Sequence, residues 1–226
     1  MLKPSNLETK SASLQERLFI DCSTIDPKSS AGVANATHSS HAGKFIDAPM
    51  SGGVVGARAG TLTFMIGAPP ELVDRATSVL GLMGKRVVHL GPQTSGLKGK
   101  LANNYLLALT NIATCEAMDM GIKWGLDAVT LADMINTATG RCWPSVANNP
   151  VPGVSKDAPA SRGYEGGFGT QLMLKDLNLA LSAATEAKIV PGLGQTAKDI
   201  YTAVHADERC KGKDFSVVYR HIGGRE

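Results

Sequence analysis

An α/β region joined by a long helix to an all-helical region is the fold class the sequence predicts, and three observations predict it. Four short apolar runs, RLFIDCS, GKFIDAPM, TLTFMIG and KRVVHLG, are bounded by turn-forming residues and all lie before Pro92. From about Ser95, LKGKLANNYLLALTNIATCEAMDMGIKWGL repeats apolar residues at three- and four-residue spacing without a proline. Beyond it the same periodicity returns in four further stretches and no strand pattern does. The expected division is residues 1–94 for the α/β region and 95–226 for the helical one.

Taken in order, the first fifteen or so residues are polar and unpatterned. RLFIDCS then reads as a short buried strand that ends in the polar turn STIDPKSS. GKFIDAPM, TLTFMIG and KRVVHLG supply three more strands, with a helix expected from Pro70 to Met83 between the last two. After the long helix, helical segments are expected at 127–138, 170–187, 191–207 and 214–222. The Pro- and Gly-rich loop NNPVPGVSKDAPASRGYEGGFGT interrupts them. No fixed-period repeat or low-complexity tract appears.

Composition excludes several classes. In 226 residues, 43% hydrophobic and 19% charged content is that of a chain able to bury a sizeable core. The formal charge of +3 is dispersed, with no basic run, which argues against a nucleic-acid partner. No apolar stretch reaches membrane-spanning length, and MLKPSNLETKSASLQERL carries neither a signal-peptide core nor the Arg-rich character of a mitochondrial presequence. Cys22, Cys115, Cys142 and Cys210 form no CxxC pair, so neither zinc nor a disulfide framework is expected. His38 and His41 in HSSH have no companion cluster, and no metal site is expected.

A dinucleotide site built on GxGxxG is missing. Gly52, Gly53, Gly56 and Gly60 in SGGVVGARAG follow a strand at the wrong spacing, with no acidic residue after a following strand to hold ribose. GPQTSGLKGKL is no phosphate loop either, because Leu101 stands where Ser or Thr would meet magnesium.

Three weaker constellations remain. Ser51, Gly52 and Gly53 directly follow a strand, where bare backbone can turn amides toward a small carboxylate; glycines alone favour the simpler reading of a tight turn between strands. Lys100 and Asn104 lie four apart on the long helix, one above the other, so an amine and an amide can share a ligand. By residue type alone both are more often solvated surface. Lys175 and Asp176 break an apolar helix beside Leu172, Leu179 and Ala183, where a lysine can reach into a cleft, although a solvated edge is the commoner case. Cys142, Trp143, Met118 and Met120 read as packing residues.

Together these blocks, DCSTIDP, DAPMSGGVVGARAGTLTFMIG, GLKGKLANNYL, GRCWPSVANNPVPGV and GGFGTQLMLKDLNLA, resemble the 3-hydroxyisobutyrate dehydrogenases among the β-hydroxyacid dehydrogenases, from about Leu18 to Ile222. The resemblance implies a partial Rossmann-like dinucleotide-binding domain followed by a helical domain that commonly builds a homo-oligomer. It implies NAD-dependent oxidation of 3-hydroxyisobutyrate to methylmalonate semialdehyde in valine breakdown, with NADP not excluded as cofactor. By motif match Lys100 is the acid/base and Asn104 orients the substrate. Ser51, Gly52 and Gly53 hold the substrate carboxylate, while Thr24 and Lys175 contact the cofactor. Family membership also implies the mitochondrial matrix. Lys98 departs from the family's smaller residues there; it either depresses the Lys100 pKa or sits in solvent. Because GxGxxG does not precede RLFIDCS, an N-terminally truncated chain with weak NAD binding and no turnover is expected. The alternatives are a sibling enzyme acting on tartronate or succinic semialdehyde, and a non-catalytic subunit pairing with a full-length homologue.

Overall fold

In the computed structural model, which describes residues 17–226, the chain forms two compact units that divide between Lys100 and Leu101. The polar N-terminal stretch, and with it the reading of its targeting character, lies outside the described residues.

In the first unit, β1 (Leu18–Asp21) is followed by α1 (Pro27–Ser39). The segment expected to be only a polar turn is the helix start: the Asp26 carboxylate accepts from the Ser29 amide at 2.8 Å, and Pro27 brings a preset φ to the first turn. The helix was hidden because SSAGVANATHS has little apolar periodicity. HSSH straddles its end, with His38 in the last turn and His41 beyond it at φ 53°, so the two imidazoles do not share a helix face.

The run GKFIDAPM splits into β2 (Lys44–Asp47) and β3 (Met50–Ser51). β2 pairs in parallel with β1, as a strand–helix–strand crossover requires. β4 (Leu62–Gly67) runs antiparallel to both pieces in one continuous register: Asp47 faces Gly67, Met50 faces Phe64, Ser51 faces Thr63, and the Met65 amide bonds the Pro49 carbonyl at 2.9 Å between them. β5 (Gly84–Gly91) then joins the other side of β4 in parallel. Between β3 and β4 the chain makes α2 (Gly53–Ala59), closed by Gly60 in the left-handed region, where a tight turn alone was the simpler expectation. Between β4 and β5 runs α3 (Pro70–Leu80), which buries Leu72, Ala76 and Leu80 at four-residue spacing against Ile46, Phe64 and Ile66. It stops at Leu80, three residues short of the expected Met83, where Gly81 caps it and Leu82 is 86% exposed.

The long helix is α4 (Ser95–Lys123). After it come α5 (Ala128–Thr137), capped by Asp127 on the Thr130 amide, α6 (Trp143–Ala147), α7 (Thr170–Glu186) and α8 (Gly194–Ala206). The segment expected to be one helix at 214–222 is a 3₁₀ turn, Phe215–Val217, running into the single-turn α9 (Val218–His221). The second unit packs Ile112, Cys115, Met118, Met173, Leu177 and Tyr201 into one core. Among the described residues no helix is long and apolar enough to cross a membrane, and the four cysteines are free thiols.

Candidate active site

In the first unit the start of α4 is built by a residue far away in sequence. Asp47, fully buried at the end of β2, accepts from the Thr94 amide at 2.7 Å through one carboxylate oxygen and from the Leu97 amide at 2.9 Å through the other. These are orphan donors of a helix N-terminus. Burial pushes the Asp47 carboxyl up from its ordinary value, and the amides of Leu97 and Thr94 pull it the other way. Space is shaped to match. A Cβ on Gly96 would run into the Met65 carbonyl and come within 2.9 Å of Asp47, and one on Gly67 would overlap Asp47 itself.

One turn past Leu97 stands Lys100, 7% exposed, an unusual burial for a lysine. It is not the solvated residue that statistics favour. Lys98 is exposed, so it takes the solvent alternative. Ser51 is half-buried at the end of β3, and Gly52 and Gly53 follow at φ 132° and 59°, conformations a side chain would strain. Gly52 cannot accept a Cβ freely, because Leu62 lies 3.0 Å away. The two glycines are therefore demanded by backbone shape and leave an exposed, bare main chain. Thr24 is half-buried in the loop between the carboxyl end of β1 and the Asp26 cap. Open parallel sheets bind their ligands at that edge.

In the second unit Asn104, 2% exposed, donates through Nδ2 to Asp176 Oδ2 at 2.6 Å and accepts from Asn103 Nδ2 at 3.0 Å. Asp176 is 2% exposed and pairs with the Lys175 ammonium at 3.0 Å, so this pair is not a solvated edge. Only the Lys175 side chain, 45% exposed, faces water. Sequence reasoning singled out Asp176 beside Lys175 on a mostly apolar helix but gave it no role toward Asn104. It also missed Asp214, 1% exposed, which accepts from Asn148 Nδ2, the Phe168 amide and the Ser216 amide at 3.0, 2.7 and 2.9 Å. Of the residues read as packing, Met118 is fully buried. Met120 is 48% exposed, and Trp143, 56% exposed, stacks on Phe215 with ring centroids 6.5 Å apart. Cys142 lies 3.3 Å from the Thr114 hydroxyl.

Among the described residues one cluster of metal-ligand type forms where none was expected: single atoms of Asp207, Cys210 and His221 lie within 4.8 Å of one another. Its carboxylate is already engaged by the Arg209 guanidinium at 2.7 Å and His221 Nδ1 at 3.0 Å, and burial pushes the Cys210 thiol up to about 11. The chemistry of that donor set is an ion-pair latch rather than a cation cage. A stretch with dinucleotide spacing, Gly192, Gly194 and Ala197, opens α8 without a preceding strand and lacks the fingerprint's context.

Residues 94–222 match the profile of the NAD-binding region of NADP-dependent 3-hydroxyisobutyrate dehydrogenase, more than half of the chain. The chain belongs to the 3-hydroxyisobutyrate dehydrogenase family. Residues 7–91 match a second profile, the NAD-binding domain of 6-phosphogluconate dehydrogenase. Against the mitochondrial 3-hydroxyisobutyrate dehydrogenase of Rattus norvegicus it is 46% identical over 209 residues, covering 92% of this chain and 62% of the relative. The probable mitochondrial enzyme of Dictyostelium discoideum is 45% identical over 205 residues, at 89% and 62% coverage. Among solved structures, the Mycobacterium tuberculosis 3-hydroxyisobutyrate dehydrogenase with L-serine superposes at a TM-score of 0.85. It shares 41% identity and covers 92% of this chain and 70% of that one. The chain thus spans about three fifths of the length of the curated relatives it matches. The Rossmann-like first unit followed by a helical one is the family's fold.

Proposed function

We propose that the protein is an NAD-dependent dehydrogenase that oxidises 3-hydroxyisobutyrate to methylmalonate semialdehyde in valine breakdown. The observation that supports it most is a lysine and an asparagine one turn apart on α4, 7% and 2% exposed, in a family member. Burying either without a task costs free energy.

Each role follows from local chemistry. The Lys100 amine, in its neutral form, takes the proton of the substrate hydroxyl. Asn104, with its amide oriented by Asp176, presents a fixed rather than a rotating group to that hydroxyl. The Ser51 hydroxyl and the exposed amides of Gly52 and Gly53 grip the substrate carboxylate and so decide which hydrogen departs. Thr24, at the sheet edge, and Lys175 are the groups that would hold the cofactor in the described residues. They fit polar contacts to it, while the glycine turn for a pyrophosphate has no counterpart there. NAD, when bound, supplies the hydride acceptor. The matched relatives are named as mitochondrial, and we extend that location to this protein.

A homo-oligomer through the helical unit belongs to the same reading. Leu106, Met120 and Trp124 of α4 are 60%, 48% and 75% exposed, an apolar stripe that a second copy would cover. The test is turnover by a polypeptide in which this sequence is joined to the part of the rat relative that it does not cover. We expect activity on 3-hydroxyisobutyrate above tartronate and succinic semialdehyde, and a fall of roughly 10³-fold in kcat for Lys100→Met, within the range of a lost general base. Equal activity of Lys100→Met would refute the assignment.

A further inference from the structure

We infer that Asp47 is a positioning residue that fixes the reacting lysine against the carboxylate-holding turn, an inference that rests on the dehydrogenase reading above. The geometry has two arms from one carboxylate. Along the strand, Ser51 is four residues from Asp47, at most about 14 Å of extended chain. Across hydrogen bonds, Asp47 grips the amides of Thr94 and Leu97, and Lys100 lies one turn beyond Leu97, about 4.5 Å up the axis.

A helix normally takes its cap from the residue just before its first turn. Here that residue is Thr94, with φ at 77°, a left-handed conformation disfavoured for a β-branched side chain, so its position is held from outside. The cap comes instead from a strand that continues into Ser51. A buried carboxylate is a costly way to satisfy two amides, for which a local Ser or Asp would serve. What it adds is a link between the two chain segments that the reaction needs in register. The absence of side chains at Gly67 and Gly96 leaves the room for that approach, since a Cβ on either would crowd Asp47. Misplacing a reacting group by about 1 Å can cost on the order of 100-fold in rate, so a rigid tether at this point has a purpose.

The inference is tested on the 226-residue chain. Two readouts are measured: hydrogen exchange at the Thr94 and Leu97 amides, and acetylation of Lys100 by acetic anhydride with increasing 3-hydroxyisobutyrate. Asp47→Asn keeps the shape and one acceptor oxygen; Gly96→Ala crowds the carboxylate while retaining it. For Asp47→Asn we expect exchange at one of the two amides to rise about tenfold, the consequence of losing roughly one net hydrogen bond. The 3-hydroxyisobutyrate concentration that half-protects Lys100 is expected to rise about tenfold in both variants, with cooperative melting retained. Faster exchange with unchanged protection makes Asp47 a helix cap only and overturns the inference, as does no change in either readout. Loss of cooperative folding in both variants likewise overturns a role separable from stability. If 3-hydroxyisobutyrate fails to protect Lys100 in the unsubstituted chain, the dehydrogenase reading itself fails, while the exchange readout still reports the tether.

Discussion

The two units solve the same problem, buried polar groups, by different means. In the sheet unit the strand ladders satisfy the backbone, and one buried carboxylate, Asp47, handles the junction where β2 ends and α4 begins. In the helical unit the irregular stretch between α6 and α7 has no ladder to join. Its turns and an isolated bridge between Gly169 and Asp214 pair part of its backbone, and side chains serve further groups: Asp214 for Phe168, Asn149 for Val151, and the Tyr164 hydroxyl for the Pro150 carbonyl. The difference teaches that a few isolated polar residues carry much of the helical unit's shape, whereas the sheet unit concentrates its dependence on one corner.

The sharpest way to break this comparison is Asp214→Ala. It leaves the Phe168 and Ser216 amides and Asn148 without their buried acceptor, and at about 1–3 kcal/mol for each unmet donor we expect a loss of roughly 4 kcal/mol in urea unfolding of the helical unit. A loss below about 1 kcal/mol would mean that the loop is held by apolar packing instead. The matching change in the sheet unit is Gly96→Ala. A new Cβ driven against the Met65 carbonyl should cost about 1–3 kcal/mol, read from the same denaturation curves.

The smallest effect lies at the Asp207 latch. Hydrogen bonds from the Arg209 side chain, then from His221 and the Arg209 amide, hold its carboxyl well below the usual carboxylate range. A depressed folded-state pKa contributes stability that is present above the unfolded value near pH 4 and lost as pH falls through the folded one. Stability should therefore decline on acidification below about pH 4, and Asp207→Asn should flatten that part of the curve. An unchanged acid limb would show the latch to be energetically idle.

What the sequence made legible follows from the same contrast. β1, β4, β5, α4, α5 and α7 each carry a strong apolar period or a run bounded by turn residues, and they were expected within a few residues of where they form. α1 and α2 were not, because SSAGVANATHS and GVVGARA are small and weakly patterned; their starts are set by an Asp-Pro cap and by glycine backbone shape. Site residues divide likewise. Lys100, Asn104 and the Ser51–Gly53 turn stood out by motif, but burial is what separates Lys100 and Asn104 from surface, and burial is decided by packing. Asp47, and the role of Asp176 toward Asn104, were invisible because the partners, Thr94 and Leu97 in one case and Asn104 in the other, lie 47, 50 and 72 positions away along the chain.

The aromatic residues have a practical consequence. Both tryptophans, Trp124 and Trp143, and all four tyrosines, Tyr105, Tyr164, Tyr201 and Tyr219, fall after Lys100, so everything before it carries phenylalanine alone. Intrinsic fluorescence will therefore report melting of the helical unit while the sheet unit stays spectroscopically dark. A tryptophan placed at Phe64, fully buried in β4, would give the silent half a signal of its own.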